Sequence, residues 1–314
     1  MTPVQGRIFD VVKGSVTTVA LFLAFFFLPV IGMIPGMFAA APGAFYTLKH
    51  GRQTGITLVA ASSALLAGVA EPAAVVIYLL QAGIMSLALP EFLLRGKGGA
   101  RSVVYAVAVN LLSIVVAAGI FSLTTGSNLH AKVKEGVQAS IVQTGAVYQK
   151  MGITGDDLKA MQSSMQQAGE LIVTIYPALI TVVLGMIAVM NLLVLALVAL
   201  RLGQPFNVVG DFKKYRNPEP LVWVLILAGF GMLVPQEVVF HASRNVLIVV
   251  STFYAVQGFA VMSHFFHKYQ VPKWVRFIGY LLLIFQPFMV LAVAVLGVFD
   301  LWGDFRSPNK QENL

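Results

Sequence analysis

The sequence predicts an all-α protein, a polytopic membrane helix bundle, and two observations carry most of that prediction. Hydrophobic residues make up 58% of the 314 residues and charged residues 11%, against about 25% charged residues in ordinary globular domains. The segment Leu171–Leu200 contains no charged residue, and roughly 20 apolar residues are enough for a helix to cross a bilayer. A soluble helix of this length would need a polar face, which this segment lacks.

Nine apolar segments are candidates for membrane helices, and an amphipathic helical hairpin is expected on the outer face. The second, third and seventh segments are short, so each either tilts little, re-enters the membrane, or extends into its polar flanks. In chain order the segments are Val16–Met33, Gly36–Leu48, Ile56–Ala70, Ala73–Leu94, Ser102–Thr124, Leu171–Leu200, Leu221–Val234, Val246–Phe266 and Phe277–Phe299.

The distribution of basic residues predicts the orientation. With the N-terminus in the cytoplasm, every short loop with a basic cluster falls on the cytoplasmic side, as the positive-inside rule expects. The C-terminus is then extracytoplasmic. This loop distribution explains the net charge of +8, so we expect the lipid bilayer as partner and no nucleic acid. The cytoplasmic basic residues are Arg7, Lys13, Lys49, Arg52, Arg95, Lys97, Arg101, Arg201, Lys213, Lys214, Arg216, Lys268, Lys273 and Arg276.

The long outer loop between the fifth and sixth apolar segments is predicted to form helices. Apolar residues follow helical spacing on both sides of Thr154–Asp157, a sequence that resembles a helix N-terminus. Two interpretations stay open: a lid or partner-docking hairpin, and a packed connector that covers the bundle. The apolar residues are Val133, Val137, Ile141, Leu158, Met161 and Met165.

This loop divides the chain into three regions. The predicted division is a five-helix membrane region over 1–126, the extracytoplasmic amphipathic helical loop over 127–169, and a four-helix membrane region over 170–314.

Proline and glycine interrupt the chain early, at Pro29, Pro35-Gly36 and Pro42. Broken helices at membrane depth persist only where protein or a water-filled cavity satisfies the freed backbone groups, and in transporters such breaks often mark a binding site. The alternative is a tight helical hairpin closed at Pro35-Gly36, since this dipeptide is a strong turn signal.

Side-chain amides near the middle of predicted spans are candidate ligand-binding groups. Buried amides in membrane helices need partners, so these side chains should point into the bundle. Each alone is typical of contacts between helices, whereas several converging on one cavity would bind an uncharged, hydrogen-bonding ligand. Together with Pro35 and Gly36, the candidates are Asn110, Gln81, Asn191 and Gln257.

The sequence contains few residues that indicate a metal site or catalysis. His264 and His267 share one helical face at an i, i+3 spacing that can bind metal, but no third ligand is visible. The chain has no cysteine, which excludes thiolate sites and iron–sulfur clusters. It lacks HExxH, GxSxG, P-loop and GxGxxG motifs. We therefore expect no cofactor and no enzymatic activity.

The C-terminal segment DLWGDFR contains charges that could pair. Asp300 and Asp304 are spaced i, i+4, and Arg306 is close enough to pair with one of them. We expect a local ion-pair cap at the outer interface, worth about 0–1 kcal/mol if it is exposed.

The last third of the chain resembles the YybS-like family of predicted bacterial membrane proteins. That family has no assigned function, and the resemblance implies a bacterial cytoplasmic membrane. It rests on the segment YRNPEPLVW, Tyr215 to Trp223, and on Gln257-Gly258, Lys268, Pro272, Arg276, Pro287, Gly297, Asp300, Asp304 and Arg306.

The first 125 residues look like the substrate-binding membrane subunits of energy-coupling-factor vitamin transporters. The proline- and glycine-punctuated opening and the segment LKHGRQTGITLVAASSALLAG carry this likeness. Such subunits capture a vitamin and rely on a separate ATPase module. The chain departs from them in its extra C-terminal helices and its long outer loop.

The leading functional expectation is a solute-binding transporter subunit without its own ATPase, which grips a small polar solute with Asn110 and Gln81. The alternative is a non-transporting scaffold that binds membrane or cytoplasmic protein partners. An intramembrane enzyme ranks third. A closed polar cavity is typical of the first, and a packed centre with an exposed apolar patch is typical of the second.

Overall fold

The regular structure is helical throughout the part of the chain that the computed structural model describes, residues 3–28, 31–201, 210–303 and 305–306. A π-helical segment, Leu79–Gly83, joins α5 to α6, and a 3₁₀ turn, Phe212–Lys214, precedes α10. The helices are α1 Pro3–Phe27, α2 Met33–Met37, α3 Ala41–His50, α4 Arg52–Val69, α5 Pro72–Tyr78, α6 Ile84–Leu94, α7 Gly99–Thr125, α8 Leu129–Lys150, α9 Gly155–Arg201, α10 Leu221–Gly231, α11 Glu237–Lys268, α12 Lys273–Phe285 and α13 Pro287–Gly303.

The all-helical prediction is confirmed, but the count of nine membrane helices is not. Within the described residues, five helical segments are long and apolar enough to cross a membrane, or six if the bent pair α12–α13 forms one span. The short predicted segments explain the difference. The third forms α4, of 18 residues, which is not among the five. The second is divided between α2 and α3, of 5 and 10 residues, and the seventh forms α10, of 11 residues. None of α2, α3 and α10 can cross a hydrocarbon layer of about 30 Å at 1.5 Å per residue.

Packing divides the chain into two compact units, and the predicted three-region division remains a prediction. Unit 1 comprises Met1–Ala131 and Val183–Val209, and unit 2 comprises Lys132–Val182 and Gly210–Leu314. The long helix α9 contributes to both, because its first part up to Val182 belongs to unit 2 and the part from Val183 to unit 1.

Unit 1 is held together by small residues and by polar groups that bond to backbone. Ser15 on α1 donates to the Leu58 carbonyl on α4 (3.3 Å), and Ser86 on α6 donates to the Ala40 carbonyl before α3 (3.1 Å). A Cβ added at Gly43 would lie 2.7 Å from Ser86 Oγ. Close backbone approach through small residues is typical of membrane helix packing.

Unit 2 contains the predicted helical hairpin. Helix α8 packs on the start of α9, where a Cβ added at Gly169 would lie 2.7 Å from Ile141 Cδ1. The turn between the helices uses Gly152 and Gly155 at φ 88° and 68°, a region that favours glycine. Helix α9 continues unbroken from the hairpin into the predicted Leu171 segment. The assignment of this hairpin to the outer face remains a prediction.

The rest of unit 2 is organised along α11. Gly258 on α11 lies against the Val293 backbone of α13, and Gly297 lies against the Tyr254 backbone, so α13 runs antiparallel to the second half of α11. Helix α10 runs antiparallel to the first half, since Gly231 lies against Ser243 and Val222 shares a core with Val250. Two half-length helices therefore pack along one long helix, and they meet near its middle.

Candidate functional site

The predicted site residues of unit 1 differ in whether their polar groups are satisfied. Asn191 is fully buried, and its Nδ2 donates to the Met37 carbonyl (2.8 Å) and to the Ile187 carbonyl (2.7 Å). This amide therefore ties α9 to the end of α2. Its Oδ1 has no hydrogen-bond partner among the described residues.

Pro35 and Gly36 lie in the five-residue helix α2. The Phe38 and Ala39 amides donate to the Pro35 and Gly36 carbonyls at 3.0 and 3.2 Å, which satisfies this turn from within the chain. Gly36 is buried, and a Cβ there would lie 2.6 Å from the Cβ of Phe25. These contacts favour the tight-hairpin interpretation, and the ligand-binding role of Pro35 and Gly36 stays a prediction.

Gln81 and Asn110 lie on neighbouring spans of unit 1. Gln81 is half-buried in the π-helical segment between α5 and α6, and such segments are frequent at functional sites. Asn110 is fully buried on α7, and neither its Nδ2 nor its Oδ1 has a partner among the described residues. An unsatisfied buried polar group costs about 1–3 kcal/mol, so Asn110 has an unmet requirement for hydrogen bonds.

Four buried hydroxyls of unit 1 lack a well-formed hydrogen bond within the described residues, and the sequence analysis missed them; they belong to Thr18, Ser62, Tyr78 and Ser102. Tyr78 packs edge-on against Phe22 with ring centroids 5.5 Å apart, and its hydroxyl adjoins Ser62 on α4. Thr18 lies one turn before Phe22 on α1. Ser62 and Tyr78 together form the hydroxyl cluster of unit 1.

The predicted residue Gln257 lies in unit 2, where its amide is fully used. Its Nε2 donates to Asp300 Oδ2 and its Oε1 accepts the Asn217 backbone N–H, both at 2.9 Å. Asn217 Nδ2 donates to the Phe253 carbonyl (2.9 Å), and Asn217 Oδ1 accepts from the Tyr215 hydroxyl (2.8 Å). Burial raises the pKa of the Tyr215 phenol, which keeps it a neutral donor.

Asp300 and Arg306 form the charged centre of this polar network. Asp300 is fully buried and pairs with Arg306, whose Nε lies 3.3 Å from Asp300 Oδ1. Arg306 Nη1 also donates to the Lys213 and Tyr215 carbonyls, both at 2.8 Å. The predicted pairing of Arg306 with one of the aspartates is confirmed. The pair is not an exposed cap, because the loop before α10 and the side chain of Gln257 cover the carboxylate. Asp304 lies outside the described residues.

The position of this pair bears on the predicted orientation. That prediction places Lys213 in the cytoplasm and Arg306 outside, whereas Arg306 is bonded to the Lys213 backbone. The contact lies beside Gln257, about 17 Å along the helix from Lys268 and about 20 Å from Arg244 at 1.5 Å per residue. Lys213 can belong to the cytoplasmic side and Arg306 to the outer side only if their contact lies within the bilayer. The orientation of the termini remains a prediction.

Asn245 makes a further contact, half-buried, that the sequence analysis missed. Its Oδ1 accepts the Ala178 N–H and its Nδ2 donates to the Thr174 carbonyl, both at 2.9 Å. In a regular α-helix these two backbone groups would bond to each other. The side chain therefore inserts into the hydrogen-bond ladder of α9 beside Pro177, a proline that lies inside that helix.

His264 and His267 remain an isolated pair. Both lie near the end of α11, with His264 half-buried and His267 exposed. Among the described residues, no group of three or more His, Asp or Glu side chains is placed to hold a metal ion. The arrangement therefore adds nothing to the weak metal prediction from the sequence.

Comparison with known proteins identifies the family. The family model described as "Predicted membrane protein (DUF2232)" matches residues 16–301. The chain is 22% identical over 287 residues to the uncharacterized protein YybS of Bacillus subtilis (strain 168), a match that covers 90% of this chain and 92% of that protein. No solved structure matches the chain. The resemblance to YybS-like proteins is thus confirmed, and the chain belongs to the DUF2232 family of predicted membrane proteins.

Proposed function

We propose that the protein is a solute-binding subunit of a transport system in the bacterial cytoplasmic membrane, with its binding centre in unit 1. The observation that carries this proposal is the concentration of unsatisfied buried polar side chains in that unit. Among the described residues they are Thr18, Ser102, Asn110, the Oδ1 of Asn191 and the adjoining Ser62 and Tyr78 hydroxyls, which have no partner besides each other, against Tyr254 alone in unit 2.

Membrane helices rarely retain such groups without a use. With no water in the hydrocarbon core, each unsatisfied polar group costs free energy, and local violations of this kind are expected at functional sites. A ligand that bonds to these groups would recover that free energy. The groups are hydroxyls and an amide, so the solute they fit is small, uncharged and rich in hydrogen-bonding groups.

The energy source for transport would lie elsewhere. The chain has no P-loop motif, so a driven cycle requires a separate subunit that hydrolyses the nucleotide. The likeness of the first 125 residues to substrate-binding subunits of energy-coupling-factor transporters agrees with this division of labour.

A scaffold function is the second candidate, and the hairpin favours it. Val142 and Val147 on α8 expose 64% and 51% of their surface, and Met151, directly after α8, exposes 71%. Val142 also lines a shallow recess with Ala139 and with the side chains of Glu135, Gln138 and Gln143. Exposed apolar surface of this kind is typical of a site for a protein partner.

The first test is thermal-shift screening of the purified protein against vitamins, nucleosides and amino acids. A solute that binds only the folded state raises Tm, by an amount equivalent to about 2.7 kcal/mol at a hundred-fold excess over Kd. We expect Tyr78→Phe and Asn110→Leu to lose most of the Tm shift that such a solute produces in the wild type.

The matched control is Tyr254→Phe, which removes from unit 2 a fully buried hydroxyl that has no hydrogen-bond partner among the described residues. It should keep the full ligand-induced shift. Equal loss in Tyr78→Phe and Tyr254→Phe would argue against a binding centre in unit 1. A panel with no stabilising solute, combined with capture of a folded protein through α8, would favour the scaffold.

A further inference from the structure

Helix α12 crosses the direction of its neighbours. Helices α11 and α13 run antiparallel beside each other, whereas α12 is turned by 108° from α13 at the break after Phe285. Gln286 ends α12 with an extended backbone, and Pro287 begins α13. With 13 residues, α12 is about 20 Å long at 1.5 Å per residue, so it is too short to cross the bilayer in any orientation.

One face of α12 packs on unit 2. Tyr280 contacts Phe266 and Phe259 of α11, with ring centroids 5.6 and 6.2 Å apart. Gly279 faces the ring of Phe266, and Leu283 is buried. These contacts attach the helix near the C-terminal end of α11.

The opposite face of α12 is apolar and uncovered. Its residues recur at intervals of three and four, so they form one continuous stripe along the helix. Trp274 and Phe277 expose 68% and 66% of their surface. The stripe consists of Trp274, Phe277, Ile278, Leu281 and Leu282.

Basic residues flank the beginning of the stripe. Lys268 ends α11 and Lys273 begins α12, and both are exposed. Arg276 is half-buried and uses its Nε to bond the Val271 carbonyl (2.7 Å). Tyr269, in the turn between the helices, is 69% exposed. Aromatic rings together with basic side chains at a helix start are the composition of a membrane–water interface.

We propose that α12 lies in the plane of the membrane at the boundary between headgroups and acyl chains, and that its partner is an anionic lipid surface. The stripe enters the acyl region, while Lys268, Lys273 and Arg276 contact lipid phosphates. The geometry requires this depth. Helix α12 lies across the direction of the membrane spans and carries an apolar stripe on one side. Such a helix can have hydrocarbon on its apolar side and water on the other only at the interface.

Depth-dependent fluorescence quenching tests the placement. The chain has three tryptophans, and Trp223 and Trp302 are both 65% exposed, so Trp223→Phe with Trp302→Phe leaves Trp274 as a single reporter. The full chain is placed in nanodiscs whose lipids carry bromine either near the headgroup or near the chain end. We expect stronger quenching by the shallow bromine. Stronger quenching by the deep bromine, or none by either, would overturn the proposal, and the latter would indicate a protein cover or water.

Changing the charge of the lipid tests whether the partner of α12 is an anionic lipid surface. A Lys or Arg near an anionic surface strengthens attachment about five-fold per charge. Phosphatidylglycerol should therefore increase shallow quenching relative to phosphatidylcholine, and Lys268→Gln with Lys273→Gln should remove most of that increase. Lys132→Gln with Lys134→Gln, on α8, is the matched control and should leave the increase intact. An increase that is the same in all variants would overturn the role of these basic residues.

Discussion

Replacing Arg306 by methionine should lower the free energy of unfolding by up to about 3–5 kcal/mol, because it removes the closer of the two arginines that pair with a buried carboxylate. Asp300 has no exposed surface. Its remaining partners would be Gln257 at 2.9 Å and Arg216, whose Nε lies 3.8 Å from Asp300 Oδ2. The same substitution frees the Lys213 and Tyr215 carbonyls, which now accept from Arg306 Nη1. Methionine keeps a flexible apolar stem, so the loss measures the charge and its hydrogen bonds.

The measurement is equilibrium unfolding in mixed detergent micelles, followed by circular dichroism. The double variant Arg306→Met with Asp300→Leu should recover part of the loss, since an apolar pair can replace a buried ion pair at little cost. Asp156→Asn is the control, because the pair between Asp156 and Lys159 is almost fully exposed and such pairs contribute little. If Arg306→Met were as neutral as Asp156→Asn, the buried network would not stabilise unit 2.

Two asparagine-to-leucine substitutions should change stability in opposite directions. Asn245→Leu removes the bonds to Ala178 N–H and to the Thr174 carbonyl, and leaves two backbone groups of α9 unsatisfied beside Pro177. Each unsatisfied group costs about 1–3 kcal/mol, so a loss of about 2–6 kcal/mol is expected. Asn110→Leu removes an amide that has no partner among the described residues, so the ligand-free protein should become more stable by about 1–3 kcal/mol.

The same unfolding assay, in the absence of added solute, measures both variants. Leucine has the branched shape of asparagine and is favourable at the centre of a membrane helix, so neither change should prevent insertion. A higher free energy of unfolding for Asn110→Leu means that the wild type keeps a polar group at the expense of stability, as expected of a binding residue. A loss as large as that of Asn245→Leu would instead assign Asn110 to contacts between helices.

The sequence predicted those parts of the fold that follow from local patterns. Hydropathy identified the helices, and apolar spacing around Thr154–Asp157 identified the hairpin. The spans were overcounted because a run of apolar residues does not show whether one helix continues through it. The segment Phe277–Phe299 breaks before Pro287 into α12 and α13, and Leu221–Val234 forms only a half-length helix.

The partners of the predicted polar residues could not be read from the sequence. Gln257, Asn217 and Asp300 are separated by some 40 residues or more, and they meet because α10 and α13 pack along different halves of α11. The hydroxyls of Thr18, Ser62 and Tyr78 were missed for a different reason. Serine, threonine and tyrosine are ordinary in membrane helices, since their hydroxyls usually bond within the helix, and no spacing distinguishes those that do not.

Accessibility of a cysteine at position 62 tests the proposed binding centre most directly. The chain has no native cysteine, so Ser62→Cys places a single thiol in the hydroxyl cluster, where charged methanethiosulfonate reagents reach it only through water. Two controls give the upper and lower limits of the reaction rate. Asp156→Cys is exposed, and Val261→Cys is as buried as Ser62 but lies in the core of unit 2. A solute-binding centre must open to water, so Ser62→Cys in liposomes should react far faster than Val261→Cys, and a stabilising solute should protect it. If Ser62→Cys were as unreactive as Val261→Cys, unit 1 would be a closed, packed core and the solute-binding function would be contradicted.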